Sequence, residues 1–238
     1  MIIYPAVDIK DGRCVRLVQG EFDKVTVYSE EPLQMALKWE SLGAEYLHVV
    51  DLDGARTGET QNISITSEIA AKLKIPVQLG GGIRSIEVIE KLISKGIKRV
   101  ILGTSAVKNP DLVKQAVEAF KESIVIGIDA KDGKVAIDGW EKTSEFTAID
   151  FANKMVELGA KTIIYTDISR DGMLIGPNLA AMREMAQSVD AEIIASGGVS
   201  SLQDIKDLKE TGVSGVIVGK ALYTGNVDLK EAIEIGKA

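Results

Sequence analysis

Cysteine and histidine are nearly missing: among 238 residues there is one of each, Cys14 and His48. One of each cannot build a disulfide, a zinc cage or a Cys/His cluster, so no metal site is expected. A lone thiol fits a reducing cytosol. Aromatic residues make up only 5%. Basic charge is also short, with 28 Lys and Arg against 35 Asp and Glu and a net charge of −7. The electrostatic footprint of a nucleic-acid binder is therefore absent. No apolar run reaches the roughly 18 residues of a membrane span. Residues 1–10 carry Pro5 and Asp8 inside their apolar stretch and no basic leader, so they read as a first strand and not as a signal peptide. A cytoplasmic protein without a nucleic-acid or membrane partner is expected. Gly-x4-Gly-Lys-Ser/Thr, His-Glu-x-x-His and Gly-x-Ser-x-Gly do not occur, which favours cofactor-free acid–base chemistry. Asn62-Ile63-Ser64 fits a glycosylation sequon and is read as chance.

What is present alternates. Short β-branched runs at 2–7, 46–50, 76–79, 99–102, 124–128, 162–166, 192–195 and 215–218 are apolar on both parities, as doubly covered parallel strands should be. Amphipathic stretches separate them, at 32–42, 63–73, 86–95, 110–120, 148–158, 179–188, 202–210 and 229–235. Pro32 and Pro110 mark helix starts, and Ser201-Leu202-Gln203-Asp204 resembles a capping box. Eight βα units predict an α/β fold, a single (β/α)8 TIM barrel over residues 1–238. An open doubly wound sheet would want Gly-x-Gly-x-x-Gly at the first turn, which here reads Asp8-Ile9-Lys10-Asp11-Gly12. The segments 10–29 and 130–147 read as long loops that close over the mouth, with Gly12, Gly20, Gly133 and Gly139 as hinge candidates.

The chain also repeats itself. Val77-Gln78-Leu79-Gly80-Gly81-Gly82-Ile83 matches Ile193-Ile194-Ala195-Ser196-Gly197-Gly198-Val199, and Val100 to Ala106 matches Val216 to Leu222, each 116 positions on. Asp51 and Asp167 keep that offset, while Asp8 and Asp129 are 121 apart. Two similar half-barrels result, about 1–122 and 123–238. Each alone would leave an open sheet edge, and joining them closes it.

The glycine blocks suggest phosphate. Gly197, Gly198, Gly219 and Lys220 follow the seventh and eighth strands, the usual phosphate site of a barrel. Without a Cβ, glycine lets main-chain N–H groups approach an anion, and the following helix start adds positive potential. Tight βα turns alone would also use glycine. If the second half holds one phosphate, the repeat puts a second at Gly81, Gly82, Gly103, Thr104 and Ser105. The expected ligand is then an elongated small molecule with a phosphate at each end. Asp8 and Asp129 end the first and fifth strands, which face each other in a closed eight-strand barrel. Such a pair suits one proton donor and one proton acceptor, although a single Asp there also suits helix capping. Arg16, His48, Arg84, Trp140, Thr166 and Asp171 are the substrate-binding candidates. For His48 the sequence favours a satisfied core histidine over a substrate donor, and Trp140 reads equally as a hydrophobic lid. The roles of Asp51 and Asp167, catalytic or loop-shaping, stay open.

Pro5-Ala6-Val7-Asp8-Ile9 and Gly12-Arg13-Cys14-Val15-Arg16-Leu17 resemble the opening of the ProFAR isomerases of histidine biosynthesis. The likeness continues through His48 to Asp53, Gly80 to Arg84, Gly127-Ile128-Asp129, Gly139-Trp140, Thr166 to Gly172, Ala195 to Val199 and Val218 to Ala221. It spans essentially the whole chain. The cyclase subunit of imidazole glycerol phosphate synthase is the nearest alternative. Cyclases open with a Cys-Leu-Asp-Val pattern and a Lys in the next strand, whereas this chain has Ala6-Val7-Asp8-Ile9, Arg16 and Gly139-Trp140. Those differences favour the isomerase; Ser169-Arg170-Asp171-Gly172 does not discriminate. The resemblance implies an Amadori rearrangement of a bisphosphorylated aminoaldose to an aminoketose; taken with the absent motifs, a cofactor-free monomer is expected. It makes Asp8 the base and Asp129 the acid. A dual isomerase that also takes phosphoribosyl anthranilate is a third reading.

Overall fold

Strands that are apolar on both faces must be covered on both. In the computed structural model, which describes residues 1–18, 21–140 and 142–238, the covering is a barrel interior on one side and a helix shell on the other. Gly20, named above as a hinge candidate, lies outside the described residues. The first half runs β1 (Ile2–Lys10), β2 (Arg13–Val18), β3 (Glu21–Ser29), α1 (Pro32–Ser41), β4 (Leu47–Asp51), α2 (Leu52–Thr57) and α3 (Ile63–Lys72). It continues with β5 (Val77–Gly80), α4 (Ile86–Ser94), β6 (Arg99–Leu102), α5 (Thr104–Lys108) and α6 (Pro110–Phe120). The second half runs β7 (Ile124–Lys131), β8 (Lys134–Ile137), β9 (Lys142–Thr147), α7 (Ala148–Glu157), β10 (Thr162–Asp167) and α8 (Leu179–Ser188). It ends with β11 (Glu192–Ser196), α9 (Leu202–Lys209), β12 (Gly215–Val218), α10 (Lys220–Tyr223) and α11 (Leu229–Lys237).

The parallel strands follow one another in the order β1, β4, β5, β6, β7, β10, β11, β12, and β12 pairs with β1. The β7–β10 pairing, with Asp129 beside Thr166, joins the two halves on the other side. The barrel is therefore closed, a (β/α)8 architecture, and β1 lies opposite β7 across it. Tyr4, Ala6, Val125, Ile164, Ile194 and Ile217 fill the interior. Leu47, Ile69, Leu92, Phe151 and Met182 belong to the larger core between strands and helices. Helix ends follow their sequence signals. Ser201 and Asp204 close a capping box on α9, and Gly43, which follows α1, takes the left-handed φ of 97°.

The two long segments differ from expectation. Neither is an open loop: β2 and β3 extend β1 as an antiparallel hairpin, and β8 and β9 do the same for β7. The physical reason is in the turns. Asp11-Gly12 has φ values of 50° and 76°, and Asp132-Gly133 has 51° and 77°. A two-residue hairpin turn of type I′ requires positive φ at both central residues, and Asp-Gly is a favoured pair for it. The barrel strands thus run on past the mouth and fold back over it. Asn62 of the sequon is buried and its side chain is engaged by two carboxylates.

Candidate active site

All eight barrel strands are parallel, so their C-terminal ends share one face. One cleft opens there, and every residue selected from the sequence as catalytic, substrate-binding or phosphate-binding lines it. The structure brings them together from both hairpins, four barrel turns and the β10–α8 loop.

On the β1 side, Asp8 and Arg16 form an ion pair, with Nη1 2.8 Å from Oδ2, and both residues are buried. Hairpin pairing sets this contact, because β2 runs antiparallel to the end of β1 with Asp8 opposite Val15. Burial pushes the Asp8 carboxyl up to about 6; Arg16 opposes that shift and Asp171 adds to it. Asp171, from the β10–α8 loop, is itself raised by burial, against the pull of Arg16, the Gly172 backbone and Lys220. His48 on β4 is buried, and Gln78 Nε2 donates to its Nδ1 at 3.0 Å. The neutral ring then carries its proton on Nε2. Burial, with Arg16 nearby, lowers its pKa to about 3. His48 is thus a hydrogen-bonded buried histidine that also lines the cleft.

Asp129 on β7 faces a different environment. Trp140 Nε1–H donates to its Oδ2 at 2.8 Å, and the Thr166 hydroxyl on neighbouring β10 donates as well. Burial raises the Asp129 pKa; those two hydrogen bonds lower it, and Asp171 raises it further. A cation sits against Asp8, whereas neutral donors surround Asp129. The indole of Trp140 is therefore a hydrogen-bond donor to a carboxyl and not only a lid.

The glycine turns have a structural cause. At Gly81, φ is 114°, and a Cβ there would collide with the Asp51 carbonyl oxygen. At Gly197, φ is 95°, and a Cβ would lie 2.6 Å from the Asp167 carbonyl oxygen. Main chain must pass main chain at both places, which only glycine permits. The next strand ends repeat as well: Gly103 has φ −102° and ψ −105°, and Gly219 has φ −104° and ψ −104°. Gly82, Thr104 and Ser105 line the cleft beside the first turn, and Gly198 and Lys220 line it beside the second. Lys220 Nζ donates to the Gly172 carbonyl at 2.8 Å, tying α10 to the β10–α8 loop. Gly219 packs under the Arg16 guanidinium, and Gly58 under that of Arg84, which is otherwise exposed.

Asp51 and Asp167 shape loops. The Asp51 carboxylate accepts from the Gly54, Gln61 and Asn62 N–H groups and from Asn62 Nδ2 at 2.7 Å. Asp167 accepts from the Ser169 N–H and from Asn178 Nδ2 at 2.8 Å. Neither lines the cleft. Sequence reasoning passed over two residues here. Gln78, which orients His48, is a fully buried amide within an apolar strand, and that mismatch was the available signal. Asp138, beside Trp140, lines the cleft within an Asp-Gly pair.

Comparison with known proteins places the chain in a family. The family model for the histidine biosynthesis protein matches residues 2–228. The relative from Acetivibrio thermocellus is 76% identical over 237 residues, covering 100% of each chain. Its name is 1-(5-phosphoribosyl)-5-((5-phosphoribosylamino)methylideneamino) imidazole-4-carboxamide isomerase. The relative of that name from Thermoanaerobacter pseudethanolicus is also 76% identical, again with full coverage of each chain. That from Ruminiclostridium cellulolyticum is 67% identical over 98% of this chain and 99% of its own. The chain belongs to the histidine biosynthesis protein family.

Proposed function

We propose that this chain is a ProFAR isomerase, converting the aminoaldose to the aminoketose with Asp8 as base and Asp129 as acid. The observation that carries the assignment of roles is the unlike surroundings of two buried carboxyls on opposite strands of one cleft. A guanidinium beside Asp8 favours the carboxylate that a base must be. Burial favours the protonated form of both carboxyls, so the cation is what separates them: Arg16 acts on Asp8, whereas Asp129 has hydrogen-bond donors but no cation among the causes acting on it.

In this reading the two glycine-rich ends of the cleft hold the two phosphates, with Lys220 and Arg84 as the adjacent cations. Asp129 gives its proton to the ribose ring oxygen. The C1–O bond breaks, and the ring opens to a protonated Schiff base. Asp8 takes the proton from C2, and the electron pair of that bond forms the enolamine. Proton loss from the C2 hydroxyl and proton gain at C1 then give the ketose. The substrate gains two protons, at the ring oxygen and at C1, and loses two, from C2 and from its hydroxyl. The first gain and first loss leave Asp129 ionised and Asp8 protonated, the enolamine step exchanges its own two protons with solvent, and exchange with water resets the carboxyls. His48, neutral with Nε2–H, is a hydroxyl-binding donor in this scheme, and Arg16, Thr166 and Asp171 hold the reacting end.

The chain works in the cytosol as a monomer, and its two halves, about 1–122 and 123–238, are fused copies of a half-barrel. The matched contacts of Asn62 and Asn178 support this last point. The test is a chromatographic assay of ProFAR with purified protein in chelator and without ammonia. Aminoketose formation is the expected result. Absence of product, with imidazole glycerol phosphate made from the aminoketose and ammonium salts, would favour the cyclase instead. Turnover of phosphoribosyl anthranilate in the same preparation would extend the reading to a dual isomerase.

A further inference from the structure

The turn between β8 and β9 carries a tie that the proton transfers do not use. Asp138, Gly139 and Trp140 have φ values of 56°, 66° and 74°, three left-handed residues in a row. Two of them bear a Cβ, and such a conformation persists only where surrounding contacts over-determine it. The contacts lie on α5. The Asp138 carboxylate pairs with Nζ of Lys108, at the end of α5, and with Nζ of Lys142 at 3.4 Å. Its backbone N–H donates to Oγ1 of Thr104, the first residue of α5, at 3.1 Å. The turn is thus fixed at both ends of the helix that begins at the β6 glycine. Two residues on, the Trp140 indole reaches Asp129.

We propose that Asp138 is a positioning residue: by tying the β8–β9 turn to both ends of α5, it holds the Trp140 indole against the Asp129 carboxyl. The tie joins one end of the cleft, lined by Thr104, to the group that donates the proton at its centre. It rests on the reading of Asp129 as the acid. It also accounts for the left-handed backbone at Trp140, because a residue released to ordinary φ would swing the indole off the carboxyl.

The experiment replaces both tryptophans, Trp39 and Trp140, by 5-fluorotryptophan in the full chain. The Trp140 fluorine resonance is assigned with Trp140→Phe. Asp138→Asn removes the ion pairs and keeps the N–H bond to Thr104. The Trp140 resonance is expected to move toward that of a solvated indole while the Trp39 resonance stays. Isomerase kcat is expected to fall about fivefold, the size of one surface-level ion-pair contribution, with KM within about twofold. Lys108→Met, at a half-exposed side chain, breaks the same pair without touching the turn and should move Trp140 in the same direction. It carries the test if Asp138→Asn does not fold. An unmoved Trp140 resonance in the folded variants overturns the proposal, whatever the activity. A rise in KM at unchanged kcat overturns it too, since the tie would then serve phosphate binding alone. A wild-type protein without isomerase activity would remove the functional reading, and the fluorine spectra would still judge the tie.

Discussion

Arg16 and Asp8 form a buried ion pair, Nη1 to Oδ2 at 2.8 Å, at the point where the first hairpin folds back over the barrel. The Arg16 guanidinium opposes the burial that raises the Asp8 carboxyl to about 6. If Asp8 is the base, it must be ionised to act, so kcat/KM falls as pH drops through about 6. Removing the cation removes an interaction that favours the carboxylate. Arg16→Met is therefore expected to move that acid limb upward. A pH series of kcat/KM for the two proteins checks it, and an unmoved or lowered limb would refute the pairing as a tuning device.

Asp8→Asn and Asp129→Asn each remove one proton carrier and keep the side-chain shape. Each is expected to lower kcat about 10²–10⁴-fold, the span of a single general acid or base. Circular dichroism should be unchanged. Turnover within tenfold of wild type in either variant would sink that residue's role.

Gly81 and Gly133 share a left-handed φ but differ in what surrounds them. Gly133 has open space where a Cβ would go, whereas Gly81 faces the Asp51 carbonyl. Gly133→Ala is expected to cost about 1–2 kcal/mol, the left-handed penalty alone. Gly81→Ala adds a backbone collision and is expected to cost about 3 kcal/mol or more. Urea unfolding of the two variants separates them, and equal losses would contradict the close approach.

Asn62 donates to Asp51 at 2.7 Å and to Asp53 at 2.9 Å, and all three are buried. Asp53 in turn accepts from the Asp11 N–H of the first hairpin turn. Asn62→Ala leaves carboxylate oxygens short of donors and is expected to cost about 2–3 kcal/mol. Because this tie lies behind the Gly81 turn and not at Asp8, KM should rise more than kcat falls. Steady-state kinetics beside thermal unfolding tests both halves of the statement.

Much of the architecture was legible in the residues. Ile163, Ile164 and Tyr165 cannot sit at a solvated edge, and eight such runs separated by amphipathic stretches leave few arrangements other than a closed, helix-covered barrel. The hairpins were legible in principle too: Lys10-Asp11-Gly12-Arg13 and Lys131-Asp132-Gly133-Lys134 carry the turn chemistry. They were passed over because a βα loop and a hairpin begin with the same strand. Asp51 and Asp167 could not be sorted by sequence, since a strand-end Asp is equally a catalyst or a buckle. Only the donors around them, Asn62 and Asn178 among others, decide.

The residues by themselves determined the barrel, its internal repeat, and the choice of side chains that line the mouth. Periodicity and glycine placement are local, and they act through packing that any folded copy of the chain must satisfy. The tertiary structure decided how those side chains are tuned. Asp8 meets Arg16 from a returning strand, Asp129 meets Trp140 from a turn pinned to α5, and Asp171 approaches both from the β10–α8 loop. Desolvation and Coulomb interaction depend on distances between elements far apart in the chain, and such distances exist only once the barrel has closed.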